Sequence, residues 1–195
     1  MSAINQSIVN VSQTDAQPRI TGEELFALGD IGPCELVEGE IIKMSPTGEK
    51  HGIIETNLSG ELRGFVRRHK LGRVSGGEVG IYTRRNPDSV RAADVVFISN
   101  ERLAQRGKSG FMDVAPDLVV EIMSPDDRWN EVIRKLEEYL GIGVRLVWIV
   151  DPETESVFAY RSMTDVRRSE KSEMLKADDI LPGFETPVAE LFKEQ

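Results

Sequence analysis

The chain has 195 residues, a formal net charge of -9, a single cysteine, and charged side chains at 29% of positions. That length carries one core without covalent staples, and the lone Cys34 excludes an intrachain disulfide framework and suits a reducing compartment. No run approaches the ~18 apolar residues of a membrane span, and the acidic balance disfavours indiscriminate attachment to polyphosphate.

Residues 1 to 18, polar with no signal-peptide core and apolar only at Ile8 to Val11, read as a mobile tail or an accessory edge strand. This predicts a cytoplasmic protein with one domain over 19 to 195 and no membrane partner. Thr21-Gly22-Glu23-Glu24 has capping-box spacing and opens a short helix ended by Gly29-Asp30. Cys34 to Met44 alternates as a strand or hairpin bent at Gly39, with Glu38, Glu40 and Ile42 on one face. An exposed strand face accounts for these acids better than a site does.

From Thr47 or Glu49 a longer helix is predicted, because Ile54, Leu58, Leu62, Phe65 and Val66 recur at helical spacing. His51 falls in its first turn, either as a packed imidazole or as a site residue, and Arg67-Arg68-His69-Lys70 closes it. Arg73 to Ser75 and Val79 to Thr83 read as two strands turned through Gly76-Gly77, which lack the lysine and helix of a phosphate loop. Residues 61 to 110 hold eleven Lys and Arg against five Asp and Glu, so that stretch carries +6 and the remainder -15. A solvated face or a phosphate-binding surface would explain that excess.

Two apolar runs then contain an acid. Ala92-Ala93-Asp94-Val95-Val96-Phe97-Ile98 is strand-like with Arg91 before it, and Leu118 to Met123 is a buried strand interrupted by Glu121 and bounded by Pro116 and Pro125. A carboxylate taken out of water costs several kcal/mol unless a cation, a metal or a proton meets it. On neighbouring strands Asp94 and Glu121 could share a hard cation, which takes oxygen ligands at ~2 Å; the alternative is an ion pair of Asp94 with Arg91. Ser124-Pro125-Asp126-Asp127 predicts the start of a helix running to Leu140, whose core stripe carries Lys135 at its margin, either snorkelling or reaching towards the strand carboxylates. Arg145 to Val150 and Ser156 to Arg161 follow as a strand pair, and a short helix closes the chain. The order implies an α/β fold with a mixed sheet flanked by helices and accessory terminal strands.

Asp94, the strand Glu121 and a following lysine together resemble the PD-(D/E)XK nuclease superfamily. Arg91 to Val95, Pro116 to Pro125, Lys135, Tyr139, Gly143-Val144, Trp148 and Asp151-Pro152 narrow the likeness to its Uma-type restriction endonucleases, over about Thr21 to Leu191. The resemblance implies a restriction-endonuclease-like fold and hydrolysis of DNA phosphodiesters, with Mg2+ or Mn2+ held by Asp94, Glu121 and the Ile122 carbonyl. The superfamily's lysine stands two residues after the strand glutamate, where this chain has Met123, so the resemblance implies that Lys135 supplies it from the helix. It brings Glu40 and His51 near the site as further candidates, and a homodimer would suit the cutting of two strands. The competing expectation is a nuclease-fold protein that binds nucleic acid or a protein without cutting.

Overall fold

The computed structural model describes residues 19–107, 110–125 and 128–194, so the strand expected at 8 to 11 and the acids at 126 and 127 lie outside it. The first helix, α1 (Gly22–Ala27), starts as its capping box requires: the Thr21 side chain accepts from the Glu24 amide, and the Glu24 carboxylate accepts from the Thr21 amide. A short antiparallel pair follows, β1 (Cys34–Val37) and β2 (Glu40–Lys43). Glu38 therefore sits in the turn rather than on a strand face. Its φ of 50° places it in the left-handed region, and it pairs with Arg84.

Helix α2 (Glu49–His69) buries His51, Ile54, Leu58, Leu62 and Val66 along one stripe and ends at Lys70 in the left-handed region. It leads into β3 (Gly72–Arg84) and β4 (Ser89–Ser99), a long antiparallel hairpin. The turn expected at Gly76-Gly77 is instead a bulge in one continuous strand. Gly76 pairs with Val95 and Val79 with Ala93, so Gly77 and Glu78 together face Asp94. Glycine suits this spot because Gly77 has φ +81°.

After α3 (Asn100–Leu103) come β5 (Leu118–Ile122), helix α4 (Trp129–Gly141) and β6 (Leu146–Asp151), a parallel crossover. Helix α4 begins at Trp129 instead of at Pro125. Arg128 is its N-cap without a side-chain bond, and the expected cap, Ser124, lies in the loop leaving β5. Strands β7 (Ser156–Tyr160) and β8 (Val166–Glu170) extend the sheet antiparallel, while β9 (Met174–Lys176) pairs with β10 (Glu185–Pro187) ahead of α5 (Val188–Leu191).

The main sheet runs β2-β1-β4-β5-β6-β7-β8, with β3 on the remaining edge of β4. Leu118, Val120 and Ile122 pack with the α2 stripe, whereas Val119 packs with Val132, Leu136 and Tyr139 of α4. Both faces of β5 are covered, which is why its run is apolar throughout. Strand alternation then aims Glu121 at α4. The predicted mixed sheet flanked by helices is the fold observed.

Candidate active site

Strand β4 meets two strands along one edge. β1 reaches it only at Leu36–Val90, and β5 pairs with it only from Val95 to Phe97. Between these contacts the edge of β4 from Arg91 to Asp94 is bridged by side chains. The Ala92 amide donates to Glu35 Oε1 at 3.1 Å, and the Asp94 carboxylate accepts from the Ile122 amide at 2.7 Å. A backbone group left unbonded in a buried place costs about 1–3 kcal/mol, so the two carboxylates hold the fork open by replacing the missing ladder bonds.

From the α2 side, His51 Nε2 stands 3.3 Å from Asp94 Oδ2. Glu55 lies one helical turn beyond His51 and so shares its face. One ligand atom each from His51, Glu55 and Asp94 lies within 4.8 Å of the others, about the span between opposed ligands of one cation bonded at 2.0–2.6 Å. The β3 bulge fixes Glu55, whose Oε1 accepts from the Gly77 amide at 2.8 Å. It also brings in Glu78, whose carboxyl is pushed above its usual range by burial and then by the charges of Asp94 and Glu55.

From the α4 side, Lys135 and Tyr139 are four residues apart and both reach Glu121. The Lys135 ammonium donates to Glu121 Oε2 at 3.1 Å, and the Tyr139 hydroxyl donates to Oε1 at 2.6 Å. Lys135 also stands 2.9 Å from Glu35 Oε1 and 3.5 Å from the Ala92 carbonyl. Burial pushes the Glu121 carboxyl up to about 7, with Asp94 and Glu35 adding to the shift and Lys135 and Tyr139 opposing it. Burial alone would lower the Lys135 ammonium, but Glu121 and Glu35 outweigh it and hold the pKa above its ordinary value. Arg91 does not pair with Asp94. It is buried between Glu35, at 2.8 Å, and Glu138, whose Oε2 accepts from its Nε at 2.7 Å. Burial raises and these cations lower the Glu35 carboxyl, and the cations win.

Residues 23–189 match the family described as "Uma2: Putative restriction endonuclease". The chain belongs to the Uma2 family. No curated protein matches it. A solved structure from Anabaena variabilis, described as a putative nuclease belonging to DUF820, is similar in fold with a TM-score of 0.74 and 23% identity over 89% of this chain and 97% of that one.

In this Uma2 member the fork of β4 brings together His51 and Asp94 from one side and Glu121 and Lys135 from the other, with Ile122 supplying the amide between them. Glu40 is exposed on β2 opposite Val37. The acid of this region that touches Lys135 is Glu35. Sequence reasoning passed over Glu35, Glu55 and Glu78. Glu55 carried a legible signal, since it follows His51 by four residues in a predicted helix. Glu35 and Glu78 had none, because their positions depend on strand pairing and on the bulge.

Proposed function

We propose that the protein is a divalent-metal-dependent endodeoxyribonuclease that hydrolyses DNA phosphodiester bonds with Mg2+ or Mn2+. The observation that carries this reading is the fork itself, which gathers carboxylates, an imidazole and one charged lysine at a single gap in the sheet. The donor set fits a divalent cation: hard carboxylate oxygens suit Mg2+ and Mn2+, and burial, with the neighbouring acids adding to it, raises the Glu78 and Glu121 carboxyls, a cost that a cation would relieve. Asp94, Glu121 and the Ile122 carbonyl would hold it, with His51 and Glu55 beside Asp94. When bound, it supplies Lewis acidity towards the phosphoryl oxygens and lowers the pKa of a water ligand.

The chain's own residues do the rest. Lys135 stays protonated, so it acts as a hydrogen-bond donor and counter-charge to the phosphoryl oxygens, not as the base. Tyr139 and Glu35 fix it through Glu121 and directly. Attack by water forms one P–O bond as the bridging P–O bond breaks, and the proton the water gives up is matched by the one the departing alkoxide takes up. Plasmid and single-stranded DNA incubated with Mg2+ or Mn2+, with Asp94→Asn as control, test the proposal. Cleavage lost in the variant supports it, and an inert wild-type protein overturns it. Met123, in the strand position where the superfamily carries lysine, favours a second reading: a nuclease-fold protein that binds nucleic acid without cutting. Salt-sensitive DNA affinity without cleavage would decide for that reading.

A further inference from the structure

Beside the fork, between α1 and the β3 bulge, lies an open cleft of about 630 Å3, within the range of small-molecule sites. Leu25, Phe26, Ile31 and Phe111 form its apolar walls, and Glu78 and Ala92 line the side nearest Asp94. Phe26 is 52% exposed, and its ring meets Phe111 edge to face at 5.3 Å. This wall is built into the fold. The Met112 amide donates to the Gly80 carbonyl at 2.8 Å and the Tyr82 amide to the Met112 carbonyl at 3.0 Å, which fastens the Phe111 segment to β3. A Cβ on residue 80 would stand 2.3 Å from the Phe111 ring, so glycine lets the ring lie on the strand.

We infer that this cleft receives one unpaired nucleobase of the substrate strand, next to the phosphate presented at the fork. The inference rests on the nuclease reading and names the form of its substrate. Three observations carry it. Glu78 and Ala92 belong to both places: the β3 bulge sets Glu78 opposite Asp94, and the Ala92 carbonyl lies 3.5 Å from Lys135. An occupant of the cleft is therefore an immediate neighbour of whatever sits at the fork. Among the described residues the cleft's charge disfavours phosphate, because Glu78 and Asp30 line it and the cation that lines it, Arg91, is spent on Glu35 and Glu138. Its walls offer what a base needs, an exposed ring for stacking and carboxylates to accept from exocyclic amino groups. A base inside a duplex cannot enter, so the substrate must be single-stranded, frayed or flipped at this point.

The test uses the full chain with Ca2+ in place of Mg2+, and fluorescence anisotropy of a labelled nine-nucleotide single strand in which an abasic site is moved along the sequence. One abasic position should weaken binding roughly 5- to 150-fold, the scale of losing one base–aromatic stack. Phe26→Ala should cause a loss of the same size on the intact strand and almost none on that abasic strand, while Phe26→Tyr keeps the affinity. Independent losses, no loss, or no measurable affinity for any strand would overturn the inference. The two readings separate: DNA cleavage by the wild type with uncoupled losses sinks the cleft and spares the nuclease, whereas coupled losses without cleavage under Mg2+ or Mn2+ do the reverse.

Discussion

Glu121 accepts from both Lys135 and Tyr139 and still titrates near neutrality, because burial and the neighbouring acids outweigh two donors. Its folded pKa of about 7 lies above the ordinary 4.5, so the folded chain binds more protons than the unfolded one between those values. Stability therefore falls as pH rises through that window, by up to about 3 kcal/mol from this group. Urea unfolding in EDTA from pH 5 to 8 should show Glu121→Gln gaining on wild type as pH rises; parallel profiles would refute the assignment. Divalent affinity measured by calorimetry should strengthen with pH up to about 7 and then level, since binding must displace that proton. Lys135→Met should keep the fold and lower metal-dependent cleavage by roughly 10²-fold or more, the scale of losing one positioned donor to the developing charge. Asp94 and Glu121 were legible because an acid stands out in an apolar run; the margin of a helical stripe left Lys135 open between snorkelling and the site, and only the resemblance chose between them. Glu35 was not, since its partners Arg91 and Lys135 lie 56 and 100 residues further along the chain.

Helix α4 delivers Lys135 and Tyr139 to one carboxylate because a spacing of four returns a side chain to the same face. Periodicity found this element and its stripe but misplaced its start: Ser124-Pro125 has cap chemistry, yet the N-cap is Arg128 and the first helical residue is Trp129. The position two residues after Glu121 shares its face of the strand. Met123→Lys in a Lys135→Met background should then restore part of the lost cleavage, and an unrecovered rate would place the lysine's function on α4 alone. The β3 bulge escaped sequence reading because Gly-Gly signals a hairpin as readily as a kink inside a strand. Gly77→Ala, forced to φ +81°, should cost about 1 kcal/mol or more of stability and weaken divalent binding by loosening Glu55. Thermal unfolding and calorimetry on the same preparation would check both, and unchanged metal affinity would remove Glu55 from the site.

Over the whole molecule, the basic excess of residues 61 to 110 is partly consumed inside the fold. Arg84, Arg85, Arg91 and Arg102 are paired with Glu38, Glu23, Glu35 and Asp117. Composition could count these charges but not locate their partners. Arg67, Arg68 and Lys70 remain at the end of α2, about 24 Å along the helix from His51 at 1.5 Å per residue, a distance a bound DNA backbone can bridge. Charge reversal at Arg67 and Arg68 should therefore reduce DNA affinity and the slope of its salt dependence, while reversal at Lys176 should not. Filter binding across a salt series would read this, and equal losses would discard the surface. The mixed sheet itself was legible, since the order of apolar runs implies it. The way β4 divides one edge between β1 and β5 was not, and that division has a spectroscopic consequence. The amide protons of Ala92 and Ile122 are bonded to the carboxylates of Glu35 and Asp94 instead of to peptide carbonyls. Their chemical shifts register the electronic state of the acids themselves, so in a nitrogen-15 spectrum the Ile122 resonance should move on adding Mn2+-free Mg2+, and the fork can be watched through two backbone signals with no probe group attached to its side chains.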